Sequence, residues 1–225
     1  MLIGPFIQLL TLSSLPPRGP LIDEQLEVIP DAGIFIQEDR IVEVGNFNTL
    51  LAAYPSEKVH LLEDSFVAFP GLIDVHTHIC WAGSRAGDFA LRLAGKTYLE
   101  IAKAGGGIMD TVRKTRAASR EELIQLTVQR ADELLAQGVT TIEVKSGYGL
   151  SEEDELKLLE VIQEANKRTK ADLIPTCLAA HVVPLEYKNL PSSELLYLND
   201  ILTKLLPQLK QKNLTSRVDI FVDEG

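Results

Sequence analysis

Two hydrophobic periods divide the chain. Up to about Glu63, apolar residues come in short runs broken by turn formers. Residues 7–12 make one run, and Pro16, Pro17, Gly19 and Pro20 then mark a loop. Gly33-Ile34-Phe35-Ile36-Gln37 and Ile41-Val42-Glu43-Val44-Gly45 flank the polar step Glu38-Asp39-Arg40, which is the pattern of a β-hairpin. Residues 1–64 therefore predict a small, incomplete, sandwich-like β domain. From residue 65 the period lengthens. Residues 66–78 read as an apolar strand. Residues 119–137 carry Leu123, Leu126, Ala131, Leu134 and Leu135 at helical spacing, with Ser119 at the N-cap, Glu122 at the capping-box position and Gly138 as the stop. A β-branched strand over 139–144 follows, then a helix over 151–168 behind the cap Ser151, with Asp154 three residues on. A strand over 173–180, a helix over 192–211 and a strand over 218–222 complete the pattern.

Strands alternating with helices predict an α/β fold of parallel βα units. Strands almost continuous in apolar residues predict burial on both faces. Four strands and three helices over residues 65–225 make a partial (β/α)8 TIM-like barrel, about its first half. A whole barrel takes about 250 residues, and only roughly 160 follow the small domain.

Composition narrows the class. Hydrophobic residues are 45% and charged residues 24%, so the chain can bury a core and is not a disordered segment. A net charge of −10 without a basic stripe argues against nucleic acid and against anionic membranes as partners. The two cysteines, Cys80 and Cys177, make no disulfide framework and fit a reducing, cytoplasmic setting. No apolar run has the length of a membrane span. Residues 1–12 are apolar but lack a basic leader and are interrupted by Gly4 and Pro5, unlike a secretory signal. The glycosylation-like triplet Asn213-Leu214-Thr215 carries no meaning in that setting.

The strongest chemical signal is Phe69-Pro70-Gly71-Leu72-Ile73-Asp74-Val75-His76-Thr77-His78. On a strand, residues two apart point to one face, so His76 and His78 can reach one metal ion. In a barrel they would stand at the C-terminal strand ends, where such enzymes keep their sites. Imidazole suits zinc or iron, and a catalytic site needs about three protein ligands and an open position. H-x-H alone is common; the preceding apolar strand ending in Pro-Gly-Leu-Ile-Asp gives it weight.

That segment resembles the first barrel strand of the amidohydrolase superfamily. Further stretches look like its imidazolonepropionase branch in order and spacing. They are Ala82-Gly83-Ser84-Arg85, Leu91-Arg92-Leu93-Ala94-Gly95-Lys96-Thr97-Tyr98, Gly105-Gly106-Gly107-Ile108, Thr111-Val112-Arg113-Lys114-Thr115-Arg116, Glu143-Val144-Lys145-Ser146-Gly147-Tyr148-Gly149-Leu150 and Ala179-Ala180-His181-Val182-Val183-Pro184-Leu185-Glu186-Tyr187. The match runs from about residue 30 to the end. The resemblance implies one Zn2+ or Fe3+ ion per subunit on His76 and His78, and substrate contacts from Arg85, Tyr148 and His181. Arg85 suits a carboxylate held in a bidentate fork. Glycines around Tyr148 let its loop approach a ligand. His181 would polarise or hydrogen-bond a ring carbonyl. On the residues alone each has a plainer use: a loop-ordering arginine, a core tyrosine, a structural histidine.

Other candidates are set aside. Gly95-Lys96-Thr97 ends like a phosphate-binding loop, but Ala90 stands where that loop needs glycine. The triple glycine at 105–107 reads as a flexible loop over the barrel mouth. Cys80 reads as a buried thiol rather than a third ligand, His60 as a surface residue, and Lys145 is left without a role.

The implied reaction is metal-dependent hydrolysis of the ring C–N bond of 4-imidazolone-5-propanoate to N-formimidoyl-L-glutamate, in histidine breakdown. The metal would activate water, the site residues would orient the substrate, and a homodimer is a candidate assembly. The sequence departs from the family in length. The third metal histidine, the catalytic glutamate, a metal-binding aspartate and the last strands of the small domain would lie past Gly225, so no catalytic residue is assigned here. Asp219, Asp223 and Glu224 match none of those motifs. A truncated chain, inactive by itself, is the expectation. The alternatives are another single-metal amidohydrolase, such as a cyclic amidase or deaminase, and a catalytically dead half-barrel.

Overall fold

A computed structural model describes residues 1–16 and 18–222. Pro17 of the expected loop, and Asp223 and Glu224, lie outside the described residues. The chain divides into two compact units, Met1–Pro70 and Gly71–Gly225.

The first unit contains β1 (Leu2–Leu10), β2 (Val28–Gln37), β3 (Arg40–Asn46), α1 (Phe47–Ala53), β4 (Val59–Leu61) and β5 (Val67–Ala68). Its strands form one sheet, in the order β3-β2-β1-β4, with β5 also on β1. The hairpin predicted from the pattern is β2–β3, closed by Glu38 and Asp39 at φ 49° and 62°. Positive φ at both loop residues gives a twist that matches the flanking strands. Asn46 caps α1, its Oδ1 accepting from the amides of Asn48 and Thr49 at 3.1 and 3.3 Å. The helix presents Phe47 and Leu50 to Leu2 and Phe35, and these four form the small core. The second layer that a sandwich requires is not among the described residues; α1 packs on the single sheet.

The second unit contains β6 (Leu72–Thr77), α2 (Ala86–Leu93), α3 (Tyr98–Lys103), α4 (Ile108–Ala117), α5 (Arg120–Leu135), β7 (Val139–Lys145), α6 (Glu152–Asn166), β8 (Asp172–Ala180), α7 (Ser193–Asp200), α8 (Leu206–Gln211) and β9 (Val218–Ile220). Its strands form a parallel sheet in the order β6-β7-β8-β9, curled as half of a barrel. The apolar run over 66–78 is two strands rather than one. Pro70 has no N–H for a ladder. Gly71 must be bare, because a Cβ there would lie 2.1 Å from Thr140 Oγ1.

Successive residues of β7 face opposite ways. Ile142 and Val144 join Leu173 and Cys177 of β8 under Leu158, Leu159 and Ile162 of α6 and Leu123 and Ala131 of α5. Glu143 and Lys145 take the other face. Ser119 and Ser151 cap α5 and α6, each accepting at 3.1 Å from the amide three residues on. Leu158 is fully buried in this core. Leu158→Ala is expected to cost about 2–5 kcal/mol, read as a lower urea midpoint at unchanged slope.

Three expectations need correction. The stretch between β6 and α5, for which no helix was predicted, holds α2, α3 and α4, helices of 6–10 residues whose period is too short to read. The triple glycine separates α3 from α4, and Gly107 at φ 77° stands at the N-cap of α4. The helix over 192–211 is interrupted by a π turn at Ile201–Leu205. Pro207 follows that turn and offers no N–H to the preceding one. Finally, only the inner strands are buried on both faces. Ile73 and Val75 of β6 are 65% and 73% exposed, and Val218 and Ile220 of β9 are 58% and 54% exposed. Among the described residues neither outer strand has a neighbour on its far side. No described helix is long and apolar enough to cross a membrane.

Candidate functional site

The C-terminal ends of β6, β7 and β8 bring four rings together. His76 is the penultimate residue of β6, and its amide donates to Asp74 Oδ1 at 3.2 Å. His78 follows the strand. The two imidazole centroids are 5.5 Å apart. Tyr148, in the turn after β7, lies 5.6 Å from His78. His181, just past β8, lies 5.3 Å from His78 and 5.6 Å from Tyr148. The backbone beyond His78 is held by Arg130, whose Nη1 donates to the carbonyls of Ile79 and Trp81 at 2.7 Å each while its guanidinium covers the Trp81 ring at 3.9 Å.

His78 Nδ1 is buried without a hydrogen-bond partner. Burial, then the neighbouring charges of His181, His76 and Lys145, push the His78 imidazole down to about 4. A neutral imidazole with an unengaged buried nitrogen is chemically fit to bind a cation. The His76 ring stands beside it near the end of β6. Among the described residues no group of three or more histidine, cysteine, aspartate or glutamate side chains converges on one point. The shift also has a stability consequence. Folding holds His78 below its unfolded value of 6.5, so the unfolded chain binds the proton first. Metal-free protein should therefore lose stability as pH falls from 6.5 towards 4, by about 1 kcal/mol after allowing for solvent screening at this half-buried ring. Urea titrations at both ends of that window should show the loss, and His78→Phe should abolish it.

Arg85 opens α2 and is not hydrogen-bonded to the four rings. Its Nε donates to Asp88 Oδ2 at 2.6 Å and its Nη1 to Thr111 Oγ1 at 3.4 Å. Asp88 Oδ2 also accepts from the Gly107 amide at 2.9 Å, which ties the loop to α4. Burial pushes the Tyr148 phenol up, while the positive charge of Arg85 draws it back, so the guanidinium is within electrostatic reach of that ring. His181 Nδ1 lies 2.9 Å from the Gly147 carbonyl. A carbonyl only accepts, so Nδ1 carries the proton of this hydrogen bond and Nε2 is left facing away from it.

Five residues left without a role by the sequence belong to the surroundings of the site. Lys145 is buried, with Nζ 2.8 Å from Asp219 Oδ2 and 2.9 Å from Glu143 Oε2. Thr176 donates to Glu143 Oε1 at 2.7 Å. Asp219, rejected as a ligand, is thus a partner of Lys145, and Asp223 and Glu224 lie outside the described residues. The fifth is Glu155, a buried acid on the apolar stripe of α6 with Leu158, Leu159 and Ile162. An acid at i with apolar residues at i+3, i+4 and i+7 was the available signal. Cys80 is fully buried, its Sγ is 3.9 Å from the Leu158 carbonyl, and burial pushes its thiol up to about 12, as for a core cysteine. His60 is an exposed residue of β4.

The half-barrel of parallel βα units, with paired imidazoles at its strand ends, is a fold that a solved hydrolytic enzyme shares. Escherichia coli guanine deaminase superposes with a TM-score of 0.58 at 15% identity, over 93% of this chain and 42% of that one. Sequence carries the assignment further. The imidazolonepropionase of Symbiobacterium thermophilum is 41% identical over 221 residues, 97% of this chain and 51% of its own length. Those of Myxococcus xanthus and Alkaliphilus oremlandii are 43% and 40% identical, over 90% and 93% of this chain and 48% and 49% of their own. By sequence the chain is similar to imidazolonepropionases over nearly all of its own residues, and it spans about half the length of the curated relatives it matches. No family model matches it.

Proposed function

We propose that this chain is the metal-binding and substrate-orienting half of an imidazolonepropionase, which opens the ring of 4-imidazolone-5-propanoate at its C–N bond to give N-formimidoyl-L-glutamate. The observation that supports this most is the cluster of His76, His78, Tyr148 and His181 at adjoining strand ends. His76 and His78 would hold one zinc or iron ion. Bound there, the ion would acidify water and polarise the reacting carbonyl.

The chain's own residues then divide the work of orientation. Arg85 has guanidinium donors beyond those used at Asp88 and Thr111, and they suit the propionate carboxylate. Tyr148, with its phenol raised, stays protonated and donates a hydrogen bond. His181 accepts at Nε2, from a ring N–H or from water. Holding the substrate on three sides removes rotational freedom that the reaction would otherwise have to remove. The remaining metal ligands and the catalytic acid–base group would come from the other half of the barrel, outside this sequence. The same half would bring the strands that turn the small domain, residues 1–64, into a sandwich. Buried free thiols at Cys80 and Cys177 suit a cytoplasmic enzyme, and a homodimer is compatible with this reading.

The test is turnover of imidazolonepropanoate by metal-loaded chain, alone and with the complementary half-barrel of a full-length relative. Ring opening restored by complementation, with cyclic amides and amino-heterocycles left unreacted, is the expected result. Preferential deamination of an amino-heterocycle would favour a deaminase instead.

A further inference from the structure

We infer that Glu155 is a positioning residue. Its buried carboxylate holds the 146–150 turn and, through Gly147, fixes the place of Tyr148 and the tautomer of His181. The inference deepens the proposed site and rests on Tyr148 and His181 belonging to it.

Glu155 sits in the first turn of α6 and is fully buried beside Leu158, Leu159 and Ile162. An acid on an apolar face is costly unless its oxygens are satisfied. Burial pushes this carboxyl up, and the backbone amides of the turn, with the Ser146 hydroxyl, oppose that. Oε1 accepts from the amides of Gly149 and Leu150 at 2.8 Å each and of Gly147 at 3.2 Å, and Oε2 accepts from Gly147 at 3.1 Å. Three donors converging on one side chain suit a group that only accepts, as a carboxylate does. The turn could not satisfy these amides in a ladder, because Gly147 and Leu150 have φ of 100° and 54°. Glycine is needed for the approach. A Cβ on residue 149 would lie 2.6 Å from the Glu155 amide nitrogen and 2.9 Å from Oε1.

The turn passes the constraint on. The Gly147 amide is held by Glu155, and the Gly147 carbonyl is 2.9 Å from His181 Nδ1. Ser146 Oγ accepts from the Leu178 amide at 3.0 Å, which fastens the same turn to β8. Tyr148 lies between Gly147 and Gly149, both of whose amides end on Glu155. Two rings of the cluster, borne by separate segments, are thus referred to one buried carboxyl group on α6. A glutamate serving only to satisfy the helix end would need no link to His181.

Nitrogen NMR on the 225-residue chain, with labelled histidine and backbone, tests this without substrate. In the wild-type chain His181 must carry its proton on Nδ1; a ring protonated on Nε2 overturns the relay, whatever any variant does. Glu155→Gln puts an NH2 group against the amides. It is expected to keep the helical circular dichroism, to speed exchange at the amides of 147, 149 and 150 at least tenfold with α5 unchanged, and to give His181 mixed tautomers. A folded Glu155→Gln with His181 and Tyr148 signals unchanged overturns the inference. Should that variant lose its fold, Gly147→Ala decides. It keeps the carboxylate but sets a Cβ 3.0 Å from His181 Nδ1, so an unaltered His181 tautomer there counts against the relay. Failure here leaves the hydrolase reading standing, and absence of ring opening leaves the relay standing.

Discussion

Replacing His76 and His78 together with alanine reduces metal binding by the chain to background, and either single replacement weakens it at least about a hundredfold. Each imidazole supplies one of the few bonds available to the ion, and the described residues offer no third histidine, cysteine or acid converging with them. The loss should therefore exceed the roughly ten- to hundredfold that removing a supporting hydrogen bond costs a metal site. Titration with zinc against a chromophoric chelator measures it. Replacement of Cys80 is the control. That thiol is buried, pushed up to about 12 and turned towards the Leu158 carbonyl, so Cys80→Ser should leave the affinity unchanged. Undiminished binding in the double histidine variant would mean that the ion sits elsewhere.

The second large effect is expected at Arg85. In a complemented, active assembly, Arg85→Ala should raise KM for imidazolonepropanoate roughly 10- to 100-fold, the range for losing hydrogen bonds between charged groups, with a smaller change in kcat. Arg85→Lys keeps the charge but not the fork and should recover only part of the loss. Asp88 and Thr111 already engage Nε and Nη1, which orients the remaining donors. Asp88→Asn should therefore also raise KM, by less. An analogue lacking the carboxylate should show no difference between wild type and Arg85→Ala; a persistent difference would assign Arg85 to the loop rather than to the substrate.

Much of the fold was legible because its signals are local. Ser119 and Ser151 announced α5 and α6, and β-branched residues along 139–144 announced β7. The break at Pro70-Gly71 was present in the sequence, but it was hidden by apolar residues on both sides that serve different sheets. Helices α2, α3 and α4 were missed because the longest is 10 residues, and glycine separates α3 from α4. The exposure of β6 and β9 could not be read at all, since an apolar strand has one composition whether or not a neighbour covers it. At the site, residue types and spacing pointed to His76 and His78. The hydrogen bond from His181 to the Gly147 carbonyl, which decides what that ring can offer a substrate, depends on two segments 34 residues apart. Glu155 and the Lys145 network were overlooked for the same reason. Their partners are backbone amides and side chains that only the fold brings near.

The most direct measurement is stepwise addition of zinc to the chain with nitrogen-labelled histidine rings. The ring signals of residues 76 and 78 should move together and saturate at a single equivalent, while His181 responds less and His60 not at all. Movement of residue 78 without residue 76, or saturation with both rings unchanged, would contradict the shared cation on which the account rests.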